Sequence, residues 1–133
     1  MTLKDDEREA MRKLYMEKAH EALQEARLGF EAQHLNLTVS RSYYSMFYAA
    51  QSALIADGAA GIRTHEGVNN KFSDLFVKTG KFPKEIFRTM GNAETNRYKA
   101  DYDPEIKFSP QEAEEHLEKA ETFVDAVEKM YIL

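Results

Sequence analysis

The sequence predicts an all-α fold, an up-and-down bundle of four long helices plus one shorter helix. Apolar residues recur at three- and four-residue steps in five blocks, no stretch shows the period-two alternation of a strand, and the connections between blocks are short enough to turn neighbouring helices antiparallel.

The first block runs from about Asp6 to Phe30. Met11, Leu14, Tyr15, Ala19, Ala22, Leu23, Ala26 and Phe30 form its apolar stripe, and the alanines let a neighbouring helix approach closely. The second block, from about Asn36 to Asp57, is apolar on two faces. Val39, Tyr43, Met46, Phe47, Ala50 and Leu54 make one stripe and Tyr44, Tyr48, Gln51 and Ile55 another, which predicts a central helix. Gly58 and Gly61 end it, because glycine past a helix terminus adopts left-handed geometry without a Cβ penalty.

Thr64 is the predicted N-cap of a third helix reaching about Lys78, with Val68, Phe72, Leu75 and Phe76 inward. Pro83 then sits in the first turn of a fourth helix, where its missing amide proton costs nothing, and Ile86, Phe87, Met90 and Ala93 face the core. Asp103-Pro104 interrupts that helix. The fifth opens on Ser109-Pro110-Gln111-Glu112, a capping box, and buries Ala113, Leu117, Ala120, Phe123, Val124, Val127 and Tyr131.

Length and composition narrow the function classes. A chain of 133 residues predicts one domain spanning 1–133, and 43% hydrophobic against 31% charged residues is the balance of a globule rather than a disordered tail. With no cysteine, disulfides, thiolate ligands and cysteine nucleophiles are excluded together. Neither a signal peptide nor a membrane span is predicted, so the expected location is the cytoplasm. The net charge of −5 conceals an asymmetry: residues 61 to 99 hold eight basic and four acidic side chains, net +4, and the remainder ten and 19, net −9. That pattern fits a basic middle facing an anionic partner or an acidic second protomer, and equally an ordinary lopsided helical surface.

Familiar catalytic constellations are missing. His20, His34, His65 and His116 share no H-x-x-x-H pair and no spacing that puts two on one helical face, so no metal cofactor is predicted; His20 and His116 are expected on solvated faces and His65 near a helix start. There is no G-x-S-x-G elbow and no phosphate-cradling glycine loop, and no cofactor of any kind is expected. What remains is arginine. Extending the fourth stripe through Met90 and Ala93 places Arg97 at the edge of the core, where a guanidinium requires a partner. Asp101, one turn later, would make it a structural clasp with the Tyr102 hydroxyl nearby; a cleft at the same place would make it a phosphate grip. Arg41 raises the same question inside an aromatic run, with Asp101 or Asp103 as candidate carboxylates.

Several segments, taken in order, resemble one family. Ser40-Arg41-Ser42-Tyr43-Tyr44-Ser45-Met46-Phe47-Tyr48-Ala49-Ala50 is followed by Thr64-His65-Glu66-Gly67-Val68 before Phe72, by Arg97-Tyr98-Lys99-Ala100-Asp101-Tyr102, and by Ala120-Glu121-Thr122-Phe123-Val124. From about residue 12 onward the chain is similar to HEPN domains, the helical "higher eukaryotes and prokaryotes nucleotide-binding" domains, and most similar to small stand-alone prokaryotic members. The resemblance implies a helical bundle that commonly dimerises. It also implies a setting in toxin–antitoxin or related defence systems, often beside a minimal nucleotidyltransferase, and for many members metal-independent ribonuclease activity.

The active ribonucleases carry an arginine followed after four to six residues by histidine. Arg97 matches the arginine, but Tyr102, Asp103, Pro104, Glu105 and Ile106 follow, and the next histidine is His116. Proton transfer near neutral pH then lacks its usual residue, since arginine does not titrate there. The resemblance further implies Tyr102 as a site of adenylylation by a partner. The expected function is therefore binding of RNA, a nucleotide or a nucleotidyltransferase partner through a homodimer cleft holding Arg41, His65, Arg97, Asp101 and Tyr102. The alternatives are an active ribonuclease toxin and a purely structural dimerisation module.

Overall fold

The computed structural model describes residues 4–131. Five α-helices follow one another: α1 (Asp5–Glu31), α2 (Leu35–Ala56), α3 (His65–Phe72), α4 (Lys84–Tyr102) and α5 (Pro110–Lys129). The wide turn Ser73–Val77 extends α3 with π-helical geometry, so the expected third helix is continuous but changes hydrogen-bond pattern near its end. The all-α bundle predicted from periodicity is the fold observed.

Helix α2 touches every other helix, as its two apolar stripes require. Ala19, Ala22 and Ala26 of α1 and Ala49, Ala50 and Ala53 of α2 have no exposed surface, and these small residues bring the hairpin helices close together. Ser52 tightens the same pair by donating its Oγ proton to the Arg12 carbonyl at 2.7 Å. The stripe of α1 differs from expectation at its start. Met16 occupies the buried position, whereas Met11 and Leu14, which lie off the line through Met16, Ala19, Leu23 and Ala26, are exposed.

On the opposite side of α2, aromatic rings close the core. Phe72 meets Phe82 edge-on with centroids 4.9 Å apart, and Phe82 reaches Phe123 of α5 at 5.1 Å. Each such pair adds about 0.5–1.5 kcal/mol beyond the area it buries. Both predicted caps form: Gly67 N–H donates to Thr64 Oγ1 at 2.9 Å, and Ser109 and Glu112 exchange the two hydrogen bonds of a capping box. Gly58 and Gly61 take φ of 88° and 90° beyond α2. The connection from α4 to α5 is pinned back onto α2 by Asn36, whose Nδ2 donates to Ile106 O at 2.9 Å while its Oδ1 accepts from Phe108 N–H at 3.1 Å. That clamp fixes the C-terminal end of α4, where Arg97 lies.

Candidate functional site

Seven of the eight basic side chains between residues 61 and 99 are exposed; Arg97 is the exception, with 7% of its surface accessible. Its position on the α4 stripe after Met90 and Ala93 accounts for this. Rings from α2 and from its own helix surround the guanidinium, whose Cζ lies 5.5 Å from the Tyr43 centroid, 5.6 Å from Tyr44 and 5.9 Å from Tyr98. Such cation–π contacts stabilise charge without neutralising it. The expected Asp101 pairing exists but is loose, 3.8 Å from Nη1, and the buried Nε has no partner. A buried guanidinium left this far from full hydrogen bonding departs from the usual satisfaction of buried polar groups.

Arg41 also packs on Tyr44, its Cζ 5.3 Å from that ring. Its carboxylate partner is neither Asp101 nor Asp103 but Glu25 of α1, at 3.0 Å. The position of Arg41 on α2 turns it toward α1, and it makes no ion pair with Asp101 or Asp103. Its Nε, like that of Arg97, is buried without a partner.

His65, the first residue of α3, is brought into the same neighbourhood. Its Nδ1 is hydrogen-bonded to the Tyr43 hydroxyl at 2.5 Å, and Phe47 packs on the ring with centroids 4.6 Å apart. Burial lowers its pKa below the ordinary histidine value and Arg97 lowers it further, with Glu94 opposing. Burial also raises the Tyr43 pKa strongly, aided by Glu94 and opposed by Arg97, so the phenol stays protonated at any physiological pH. Asn69, one turn after His65, donates to Glu94 Oε2 at 3.4 Å. Tyr43, Glu94 and Asn69 were not marked as site residues by sequence. The signal available was local: Glu94 is three residues before Arg97 and Asn69 four after His65, each one turn away on the same helix.

Tyr102 points elsewhere. It is 65% exposed and its ring rests on Tyr98, 4.9 Å between centroids, so it lies on the rim rather than beside the guanidinium. His116 is also a correction: it is buried rather than solvated, its Nε2 paired with Asn96 Nδ2 at 3.0 Å, and burial lowers its pKa. His20 is half exposed as expected and meets Glu128 at 2.9 Å. Among the described residues no group of three or more His, Asp or Glu side chains converges as a metal site would require, and no helix is long and apolar enough to cross a membrane.

Comparison with known proteins gives the arrangement its context. A "UPF0332 protein" of Thermotoga maritima is 33% identical over 125 residues, covering 94% of each chain. The Methanocaldococcus jannaschii protein named "Putative toxin MJ0142" is 34% identical over 117 residues, 88% of this chain and 79% of that one. A second protein of that organism, "Putative toxin MJ0605", is 33% identical over 127 residues, 96% and 92% of the two chains. The HEPN domain matches residues 13–130, a span that takes in α2, the start of α3 and the Arg97 segment together, and the chain belongs to the HEPN domain family.

Proposed function

We propose that this chain is the HEPN half of a prokaryotic toxin–antitoxin or related defence pair, binding phosphate of RNA or of a nucleotide at Arg97. In this reading the whole chain acts as a single domain in the cytoplasm, two copies form the cleft, and a minimal nucleotidyltransferase is the partner. The observation that carries it is the state of Arg97: buried among aromatics, with Asp101 no closer than 3.8 Å, so that its Nη donors make no close hydrogen bond among the described residues. A structural clasp calls for close paired hydrogen bonds, whereas an anion site keeps donor capacity in reserve. Two relatives carrying toxin names support the setting.

The test is binding of a short fluorescent RNA, with AMP as competitor, by wild type and Arg97→Ala. Loss of one charge-assisted contact predicts about tenfold weaker binding at low salt, with the helical circular-dichroism signal retained. Unchanged affinity together with a lowered melting temperature would return Arg97 to the clasp. Metal-independent cleavage is the second reading, favoured by one observation: His65 and Arg97 both lie against the Tyr43 ring, 5.4 and 5.5 Å from its centroid. Cleavage of labelled RNA in chelator, abolished by Arg97→Ala, supports that reading; intact RNA across a range of substrates counts against it.

A further inference from the structure

His65 is held with unusual care for a residue at the mouth of a helix. Thr64 caps α3 through the Gly67 amide, and a Cβ on Gly67 would meet Thr64 Oγ1 at 2.7 Å and Ile62 Cγ2 at 2.9 Å, so only glycine allows this tight start. Phe47 packs on the imidazole, and Tyr43 bonds its Nδ1. Tyr43 is wholly buried, and His65 is its hydroxyl's sole hydrogen-bond partner among the described residues. A buried phenol proton with no acceptor would cost its full desolvation, so Tyr43 donates and Nδ1 accepts. The neutral ring must then carry its own proton on Nε2. No hydrogen bond among the described residues engages that nitrogen, and it is not sealed from solvent. The same phenol that orients His65 also underlies Arg97.

We propose that His65 is a second phosphate-recognising residue of the Arg97 site, a neutral Nε2–H donor fixed in that tautomer by Tyr43, and not a general base. It rests on the reading of Arg97 as an anion grip and adds a role that reading does not require. A neutral imidazole with Nδ1 engaged and Nε2 protonated has no lone pair free to accept a proton from a ribose hydroxyl. It can still donate to a phosphate oxygen. Arg97 supplies charge and His65 direction, so the pair recognises a phosphodiester without attacking it. Tyr43 is a positioning residue.

Two measurements test this on the full chain. Long-range ¹⁵N–¹H spectra at neutral pH are expected to show His65 as the Nε2–H tautomer in the wild type and as a tautomer mixture in Tyr43→Phe. A predominant Nδ1–H tautomer in the wild type overturns the proposal. In RNA binding, His65→Ala is expected to weaken affinity about fivefold, the worth of one neutral hydrogen bond. His65→Gln, whose amide N–H reaches the place of Nε2–H, should stay within about twofold of wild type, with melting temperatures reported for all variants. Equal losses for RNA and AMP assign the contact to a phosphate both carry, and losses confined to RNA assign it to the strand backbone.

Either result supports the donor role. Unchanged binding in His65→Ala while Arg97→Ala weakens it removes His65 and leaves the Arg97 site standing. Absence of any binding by the wild type removes both, and RNA cleavage that disappears in His65→Gln shows a base where a donor is expected.

Discussion

Replacing Arg97 with methionine separates the two roles of this residue more cleanly than alanine does. Methionine keeps an unbranched apolar stem in the slot between Tyr43 and Tyr44 and deletes the charge, whereas alanine adds a cavity cost on the order of 2–5 kcal/mol whatever the function. The ion pair itself holds little. The 3.8 Å approach to Asp101 is an i, i+4 pair, a kind worth about 0.3–0.5 kcal/mol. The three rings share one buried guanidinium, and a desolvated cation–π interaction is worth about 2 kcal/mol, of which methionine restores part through sulfur–aromatic contact. Against these losses stands relief of the buried, unpartnered Nε, about 1–3 kcal/mol. The sums nearly cancel, so Arg97→Met should unfold in urea within about 1 kcal/mol of wild type. RNA affinity should fall about tenfold in the same sample, as for a lost charge-assisted contact. A loss of more than about 3 kcal/mol with RNA affinity unchanged would refute the reasoning, because only a fully engaged buried ion pair costs that much when one partner is removed.

Three further outcomes follow from the scaffold. Asn36→Ala removes both side-chain hydrogen bonds from the α4–α5 connection and should cost about 1–3 kcal/mol, with the Phe108 amide exchanging with deuterium markedly faster. Ser109→Ala should cost about 1 kcal/mol in a urea titration by removing the N-cap of α5. His116, buried against Asn96, has its pKa lowered chiefly by burial, so the unfolded chain binds its proton more readily than the folded one. Stability is therefore full above the ordinary histidine pKa and declines as pH falls from there through the depressed value; His116→Gln should flatten that part of a stability–pH curve.

The parts of this molecule written in local chemistry could be read in advance. Ser109 with Glu112, Thr64 and Pro83 mark helix starts because a cap needs only the next three residues, and Arg97 was legible as buried because it continues the line of Met90 and Ala93. What depends on how helices rotate against one another was not legible. Arg41 finds Glu25, 16 positions earlier, because the α1–α2 hairpin turns that flank of α2 toward α1. His116 looked solvated because its burial depends on Asn96, which reaches it from another helix. Leu14 scored as apolar on a helix whose buried line runs through Met16 instead. The meeting of His65 with Tyr43 spans 22 positions and two helices; its ingredients were visible and their juxtaposition was not.

Tyr43 belongs to two structures at once, the core that holds α2 in place and the polar cluster that orients His65 and underlies Arg97. A residue with both duties cannot be exchanged to retune one without disturbing the other. Evolutionary divergence of ligand preference in chains built this way should therefore be concentrated on the rim, at Tyr98, Asp101 and Tyr102, where side chains can change without repacking the bundle. Homologues that keep Tyr43 while varying those three positions would share a grip and differ in what they hold.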